Sequence, residues 1–202
     1  MSLKVWLPLN GDLENLGTEN LTITNSNATI NTNGKIGSCY YFNGTDARIS
    51  CSSMTYSYPI SICAWIKGET ITASGTEYIL SYNTATGGTA GHNIGIGTYG
   101  GKLSVWHGGS VYSYNTPLTN NVWYHVAAVV TPTGYKLYLD GSAIVIGSGA
   151  QTDVGSSWLT FGARSNSATG GVGGASYFFK GYINDIRVYN HELSAKEIKE
   201  IS

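Results

Sequence analysis

Aromatic and amide side chains are the residues of this chain best suited to bind a ligand. They fall into three clusters on predicted loops and exposed strand faces: Tyr82, Asn83, His92 and Asn93; Tyr99, Trp106, His107, Tyr112 and Tyr114; and Arg164 with Asn166. Aromatic rings stack on the apolar faces of sugars, while planar polar groups hydrogen-bond to sugar hydroxyls. The strands of Trp106 and Tyr112 are joined by a short Gly-Gly turn, so we expect these rings to lie close together. The alternative is that the tyrosines only coat sheet faces, since strands favour aromatic residues regardless of function.

Catalytic patterns are missing from the same strands. A glycosidase needs two carboxylates that flank one bond, yet none of the 12 acidic residues forms a Glu-x-Asp-x-Glu set on a predicted strand. His125 lies in an apolar strand, where a hydrogen-bonded core histidine is the expected role, and no Gly-x-Ser-x-Gly elbow is present. We therefore expect a protein that is not an enzyme.

Size and charge narrow the classes of partner. A chain of 202 residues fits one all-β sandwich, and we assign residues 1–202 to a single domain. A net charge of -1 with only 11 basic residues provides no field for phosphate backbones, so no nucleic-acid partner is expected. No segment is long and apolar enough for membrane insertion, and the first residues lack a secretory signal, so synthesis in the cytoplasm is expected.

The last segment of the chain combines an alternating strand with a capped helix. Residues 182–189 alternate with a period of two, which is typical of a half-buried strand. Ser194 and Glu197 then form a predicted capping box, and Leu193 can pack on Ile198 as a hydrophobic staple. The pattern predicts one short C-terminal helix.

Two further segments predict paired strands. Asn43-Gly44 is a strong hairpin turn, and the chain is expected to return from it through Ala47 to Cys51. Residues 122–130 and 135–141 predict a central strand pair, in which the apolar run Val126 to Val130 indicates burial on both faces.

These segments together resemble laminin-G-like, concanavalin A-like lectin/glucanase domains. Sequences of the family have Gly-Lys-x-Gly before a Phe-x-Gly turn, and Trp-x-His-Val-Ala and Leu-Tyr-Val-Asp-Gly in the centre. They end with Gly-x-Ile-Asp-Asp/Glu-Val-Arg-Ile-Tyr-Asn followed by Leu-Ser-x-x-Glu-Ile. The matching motifs of this chain run from Trp6 to Ile198. The resemblance implies an all-β fold, a two-sheet antiparallel jelly-roll sandwich with one short C-terminal helix.

The function implied by this resemblance is a non-catalytic, lectin-like adhesion module that binds a glycan or cell-surface polymer. The alternative is a structural or receptor-contacting component of a phage particle, which would associate with other virion proteins. A glycoside hydrolase comes third, because the paired strand carboxylates of glucanases with this fold are missing.

The resemblance also implies a weak, structural calcium site. The matching positions are Asn10, Asp12 and Asn15 in the loop after the first strand and Asn184 and Asp185 in the last strand. Calcium takes six to eight oxygen ligands and its affinity rises with ligand charge, but asparagine stands at three of these positions where the family often has aspartate. An asparagine-rich loop hydrogen-bonded to the strand without metal is the equal alternative.

Three cysteines, Cys39, Cys51 and Cys63, match no zinc spacing. If Phe42 faces the core, alternation places Cys39 outward and Cys51 inward, so a bond between them would need a bulge. Reduced, structural thiols are expected.

Overall fold

A computed structural model describes residues 2–71, 75–84, 93–107, 110–149, 155–165 and 175–202. Within these ranges the chain forms the following elements: β1 (Leu3–Leu7), β2 (Ile23–Ser26), β3 (Thr29–Asn31), β4 (Cys39–Asn43), β5 (Arg48–Tyr56), β6 (Ile60–Gly68), β7 (Thr76–Thr84), β8 (Asn93–Tyr99), β9 (Lys102–His107), β10 (Ser110–Pro117), β11 (Tyr124–Thr131), β12 (Gly134–Leu139), β13 (Ser142–Ser148), β14 (Gly155–Phe161), β15 (Arg164–Ser165), β16 (Ala175–Ser176), β17 (Lys180–Tyr189) and α1 (Ala195–Glu200). No helix in the described ranges has the length and apolar character to cross a bilayer.

Two antiparallel sheets form the sandwich predicted from the sequence. The eight-stranded sheet has the order β13-β12-β11-β6-β17-β4-β3. Its eighth strand, β1, pairs with residues 186–189 at the C-terminal end of β17. The seven-stranded sheet has the order β10-β9-β8-β7-β14-β5-β2, and β15 and β16 form a small separate ladder. The jelly-roll sandwich with one short helix is confirmed.

The main core lies between the inner faces of the two sheets. Alternate residues of β11, Val126, Ala128 and Val130, point into it, while Ala127 and Val129 point to the other side and are covered by α1. The predicted burial of this strand on both faces is confirmed, because all five side chains are at most 1% exposed.

The closing helix has the predicted cap. Ser194 Oγ accepts a hydrogen bond from the Glu197 backbone N–H, and the Glu197 carboxylate accepts one from the Ser194 N–H. Leu193 and Ile198 share one buried cluster on the outer face of the eight-stranded sheet. The helix therefore covers Cys63, Ala127, Val129 and Tyr138 on that face.

The last strand does not alternate without interruption as predicted. A bulge lies between Asn184 and Arg187, and Asp185 has a φ of 51°. As a result, Ile183 and Ile186 both face the core although three positions separate them. The bulge turns Asn184 and Asp185 toward the end of the first strand.

The predicted hairpin around Asn43-Gly44 is wrong in its pairing. The turn itself is present, since Gly44 has a φ of 77° and Asn43 Oδ1 accepts hydrogen bonds from three following backbone N–H groups. However, β4 pairs with β3 and β17, whereas β5 pairs with β2 and β14 in the other sheet. The chain therefore crosses from one sheet to the other at this turn.

All three cysteines are free and buried. Cys51 belongs to the main core, and burial raises the pKa of Cys51 and of Cys63 to about 12. Burial also raises the pKa of Cys39, and the nearby positive charge of Lys67 partly opposes this shift. Thiols with raised pKa values are unreactive, which suits a structural role.

Candidate functional site

The outer face of the seven-stranded sheet holds a stacked aromatic pair. Tyr78 of β7 and Trp106 of β9 lie with ring centroids 4.2 Å apart and planes inclined by 29°. The two strands are not neighbours, because β8 lies between them. The rings therefore meet above β8.

Gly95 of β8 makes this stacking possible. It is the register partner of Trp106, and a Cβ atom placed on it would lie 2.6 Å from Tyr78 Cε1. Any other residue at this position would push the Tyr78 ring away from the indole. The missing side chain of Gly95 therefore leaves the space in which the two rings stack.

Tyr177 and Arg164 continue this aromatic cluster. The Tyr177 ring lies 6.2 Å from that of Tyr78, and the Arg164 guanidinium carbon lies 5.9 Å from the Tyr177 centroid. The Tyr78 backbone N–H donates to the Tyr177 carbonyl, which ties the segment to β7. Burial raises the pKa of the Tyr78 phenol, and the positive charge of Arg164 partly opposes this shift. Tyr78 therefore stays protonated and can donate a hydrogen bond.

A row of small side chains crosses the sheet beside the aromatic pair. Gly95, Ser81, Thr160 and Ser50 are successive register partners across β8, β7, β14 and β5. Ser81 Oγ donates to the Ala163 carbonyl. Among the described residues, Ser50 Oγ, Thr160 Oγ1 and Arg164 Nε are buried without a hydrogen-bond partner. Buried polar groups normally have partners, so Ser50 and Thr160 are unusual members of a protein interior.

Exposure assigns different roles within the cluster. Tyr177 is 48% exposed, whereas Trp106 is 9% and Tyr78 is 2% exposed. Tyr177 can therefore offer a ring to a sugar, and the buried pair supports it from below. Arg164 is partly buried and its guanidinium lies beside that ring, with the Nε atom itself buried and unpartnered within the described part of the chain. The arrangement can provide ring stacking together with directional hydrogen bonds.

Three of the predicted ligand residues instead lie on the core side of the seven-stranded sheet, where Tyr82 and His107 are buried and Tyr112 is partly buried. Tyr82 is fully buried in the core and donates its hydroxyl to the Met54 carbonyl. Tyr112 pairs with Val105 on the core side of the sheet and stacks on Tyr135 at 4.1 Å. The expected closeness of Tyr112 to Trp106 is therefore wrong, because the two rings lie on opposite faces.

His107 is likewise buried, and its ring lies 5.6 Å from that of Tyr135. Burial lowers the His107 pKa, so the imidazole stays neutral. It packs between the sheets and faces no ligand.

The other predicted residues are distributed as follows. Tyr99 is 50% exposed on the outer face, and Tyr114 is partly buried on β10. Asn83 and Asn93 are register partners on β7 and β8. His92 and Asn166 lie outside the described residues.

Two residues of the cluster were missed from the sequence. Counting by twos from the buried Leu80 and Tyr82 places Tyr78 in the core, but a register shift between Tyr78 and Leu80 turns it outward. Tyr177 follows the glycine-rich run and has a φ of 54°, so no strand pattern points to it. An aromatic residue directly after a glycine-rich segment was the available signal.

The predicted calcium residues form a hydrogen-bonded network around β1 and β17. Asn184 is fully buried; its Oδ1 accepts from the Ile36 N–H at 2.8 Å, and its Nδ2 donates to the carbonyls of Pro8 and Ser38. Asn10 Oδ1 accepts from the Ser38 N–H at 2.7 Å.

The remaining members of this set are occupied in the same way. Asn15 Oδ1 accepts from the Trp6 N–H, and Asp12 Oδ1 accepts from the Glu14 N–H. Asp185 Oδ1 accepts from Trp6 Nε1 at 2.7 Å, and its carboxylate pairs with Arg187 at 2.9 Å.

As arranged, these residues do not fit a calcium site. Calcium would need six to eight oxygens, and each of these five side chains already uses an oxygen to accept a protein N–H. The Arg187 guanidinium also occupies the Asp185 carboxylate. No cluster of three or more His, Cys, Asp or Glu that could hold a metal occurs among the described residues. These contacts match the alternative of an asparagine-rich loop that is hydrogen-bonded to the strand, and calcium binding itself is an expectation from the sequence that they do not test.

Comparison with solved structures gives several matches over the whole chain. Domain 4 of AbnA, a GH43 extracellular arabinanase from Geobacillus stearothermophilus solved in complex with arabinotriose, is 19% identical, with a TM-score of 0.68 over 99% of this chain and 98% of that one. The binding domain of Paraclostridial Mosquitocidal Protein 1 is 16% identical, with a TM-score of 0.73 over 99% of this chain and 51% of that one.

A third match is a structure of botulinum neurotoxin type C, whose cell entry is described as dependent on interaction with two ganglioside molecules. It is 17% identical, with a TM-score of 0.71 over 99% of this chain and 50% of that one. The chain thus spans about half the length of both toxin structures. At these identities the matches establish the fold.

Sequence comparison identifies the family. No match was found among curated protein sequences. The profile of the concanavalin A-like lectin/glucanases superfamily matches residues 41–199. Since this match covers more than half of the chain, the chain belongs to the concanavalin A-like lectin/glucanases superfamily.

Proposed function

We propose that the chain is a non-catalytic carbohydrate-binding module that uses the outer face of its seven-stranded sheet. The observation that carries the proposal is the half-exposed Tyr177 ring, which is backed by the Tyr78–Trp106 stack and lies beside the Arg164 guanidinium. A ring held from behind loses little conformational freedom when a sugar stacks on it, which favours affinity.

Two of the structural matches support a sugar as the ligand class. The arabinanase domain was solved with arabinotriose, and the botulinum structure is described with gangliosides. A module of this kind does not itself break the glycosidic bond, in keeping with the missing pair of strand carboxylates.

A glycan array followed by titration calorimetry on the best oligosaccharide tests the proposal. Tyr177→Ala should weaken binding about tenfold, because one stacked ring contributes about 0.5–1.5 kcal/mol beyond its buried area. Tyr99→Ala is the matched substitution, since it removes an equally exposed ring from another part of the same face. Absence of glycan binding, or an effect of Tyr99→Ala alone, would contradict the assignment.

The alternative role in a phage particle stays a prediction. It requires stable assembly with copies of itself or with other virion proteins, and light scattering measures this. A stable trimer or larger assembly would favour the particle role, whereas a monomer that binds sugar would favour the module.

A further inference from the structure

The outer face of the eight-stranded sheet has an uncovered half beside helix α1. Along β6, Cys63, Trp65 and Lys67 alternate with the core residues and point outward. Cys63 lies under α1 in the cluster of Leu193 and Ile198, whereas Trp65 and Lys67 do not belong to that cluster. This half of the face takes no part in the site proposed above.

A pocket of about 380 Å³ lies on that half. Two indoles and two lysines dominate its lining, which consists of Lys35, Trp65, Trp123, Asp140, Lys199 and Ser202. This volume lies within the range of small-ligand sites, about 300–1,000 Å³. We call it the indole–lysine pocket.

Cation–π contacts hold ammonium groups next to the indoles. Lys35 Nζ lies 4.3 Å from the Trp65 centroid, and Lys67 Nζ lies 5.2 Å from that of Trp123 and 4.4 Å from that of Tyr182. Such contacts fix the position of a cation but leave its charge uncompensated.

Charge at the pocket favours an anion. Within the described residues, Lys35, Lys67 and Lys199 form no ion pair, although six other basic side chains do. The side-chain carboxylate of the lining, Asp140, accepts a hydrogen bond from the His125 backbone N–H at 2.8 Å. Two ammonium groups of the lining, those of Lys35 and Lys199, therefore face one side-chain carboxylate, and the Lys67 ammonium lies next to Trp123, so an incoming anion would find unpaired donors.

The turn that carries Lys35 is held rigidly. Asn184 Oδ1 accepts from the Ile36 N–H and Asn184 Nδ2 donates to the Ser38 carbonyl, so one buried amide clamps both sides of the turn. The Gly34 N–H also donates to the Gly37 carbonyl. A lysine on a clamped turn loses less freedom on binding than one on a free loop.

We propose that the indole–lysine pocket binds the carboxylate-bearing ring of an acidic glycan, as a second site on the opposite sheet from Tyr177. The indole of Trp123 faces the sugar ring, and the ammonium groups of Lys35 and Lys199, which line the pocket, receive the carboxylate. A glycan is favoured over an acidic peptide because the indoles in the lining suit the flat apolar face of a sugar ring.

Titration calorimetry with tetragalacturonate and its fully methyl-esterified form tests the pocket, because esterification removes the carboxylate charges and leaves the sugar rings and their hydroxyl groups unchanged. The acid should bind at least about tenfold more tightly than the ester at low salt, and the difference should shrink as salt rises. Lys35→Gln and Lys199→Gln should each weaken binding of the acid by about two- to fivefold, with little effect on the ester. Trp123→Ala should weaken both.

The control is Lys196→Gln, which removes a lysine whose side chain is 86% exposed on α1, and it should leave both affinities unchanged. Equal binding of acid and ester would overturn the second site. Polyglutamate binding as tight as that of tetragalacturonate would replace the glycan by an acidic peptide. Loss of uronate binding in Tyr177→Ala but not in Trp123→Ala would assign the ligand to the first site, so failure of either proposal is recognised separately.

Discussion

His125 should make the protein sensitive to acid. The imidazole is 2% exposed on β11, and its ring meets that of Trp65 edge-on at 5.3 Å. Its Nδ1 has no hydrogen-bond partner among the described residues. Burial lowers the His125 pKa from 6.5 to about 4; the nearby Asp185 carboxylate opposes this shift, and the Arg187 charge adds to it.

The size of the effect follows from the two pKa values. Because the folded pKa lies below the unfolded one, the stabilisation is complete above pH 6.5 and is lost as the pH falls through about 4. At pH 4, protonation favours the unfolded chain by a factor of about 160, which is about 3 kcal/mol. This is a large part of the stability of an ordinary domain.

Urea unfolding of wild type and His125→Phe at pH 7.5 and pH 4 measures this contribution. The difference in free energy of unfolding between the two proteins should change by about 3 kcal/mol in favour of the variant at the lower pH. Any packing cost of the larger ring cancels, because it is present at both pH values. His125→Leu, which also cannot titrate, should give the same change. Parallel pH dependence of wild type and both variants would refute the assignment.

Three further substitutions or treatments have defined outcomes. Ser194→Ala should cost about 1 kcal/mol in urea unfolding through loss of the capping box, whereas Lys196→Ala on the same helix should have little effect. Glu77 is buried and accepts a hydrogen bond from the Thr98 hydroxyl, and burial raises the pKa of its carboxyl group. The protonated carboxyl therefore stabilises the folded protein at a pH below the pKa of Glu77 in the unfolded chain, and this stabilisation is lost as the pH rises through the pKa of Glu77 in the folded protein. Glu77→Gln should therefore gain stability relative to wild type between pH 4 and pH 7, and a constant difference would contradict this. Thermal melting in calcium and in chelator should coincide, and a higher midpoint with calcium would instead support the site predicted from the sequence.

Local signals in the sequence were sufficient where neighbouring residues decide the structure. The capping box at Ser194 depends on residues three positions apart, and the turn at Asn43-Gly44 on a dipeptide, so both were predictable. The strand after the turn was assigned to the wrong partner, because a turn fixes a reversal of the chain and not the sheet that the next strand joins. Contacts distant in sequence decide that choice.

Bulges account for the part of the candidate site that the sequence did not predict. A strict period of two places Tyr78 in the core and keeps Ile183 and Ile186 on opposite faces, and one register shift in each strand reverses both expectations. The residue types around such a shift do not predict it, since they keep a high propensity for strands. Tyr78 is thus recognised only once Gly95 and Trp106 are seen beneath and beside it.

The identity of residue 184 determines what the junction between β1 and β17 can hold. An asparagine amide can accept from the Ile36 N–H and at the same time donate to the carbonyls of Pro8 and Ser38. An ionised aspartate at this position could accept the first bond but would set a charge against two carbonyl oxygens, which is unfavourable in a fully buried place unless a cation joins them. The amide therefore does internally what a cation would otherwise have to do, and it fixes the Lys35 turn beside the indole–lysine pocket as a consequence.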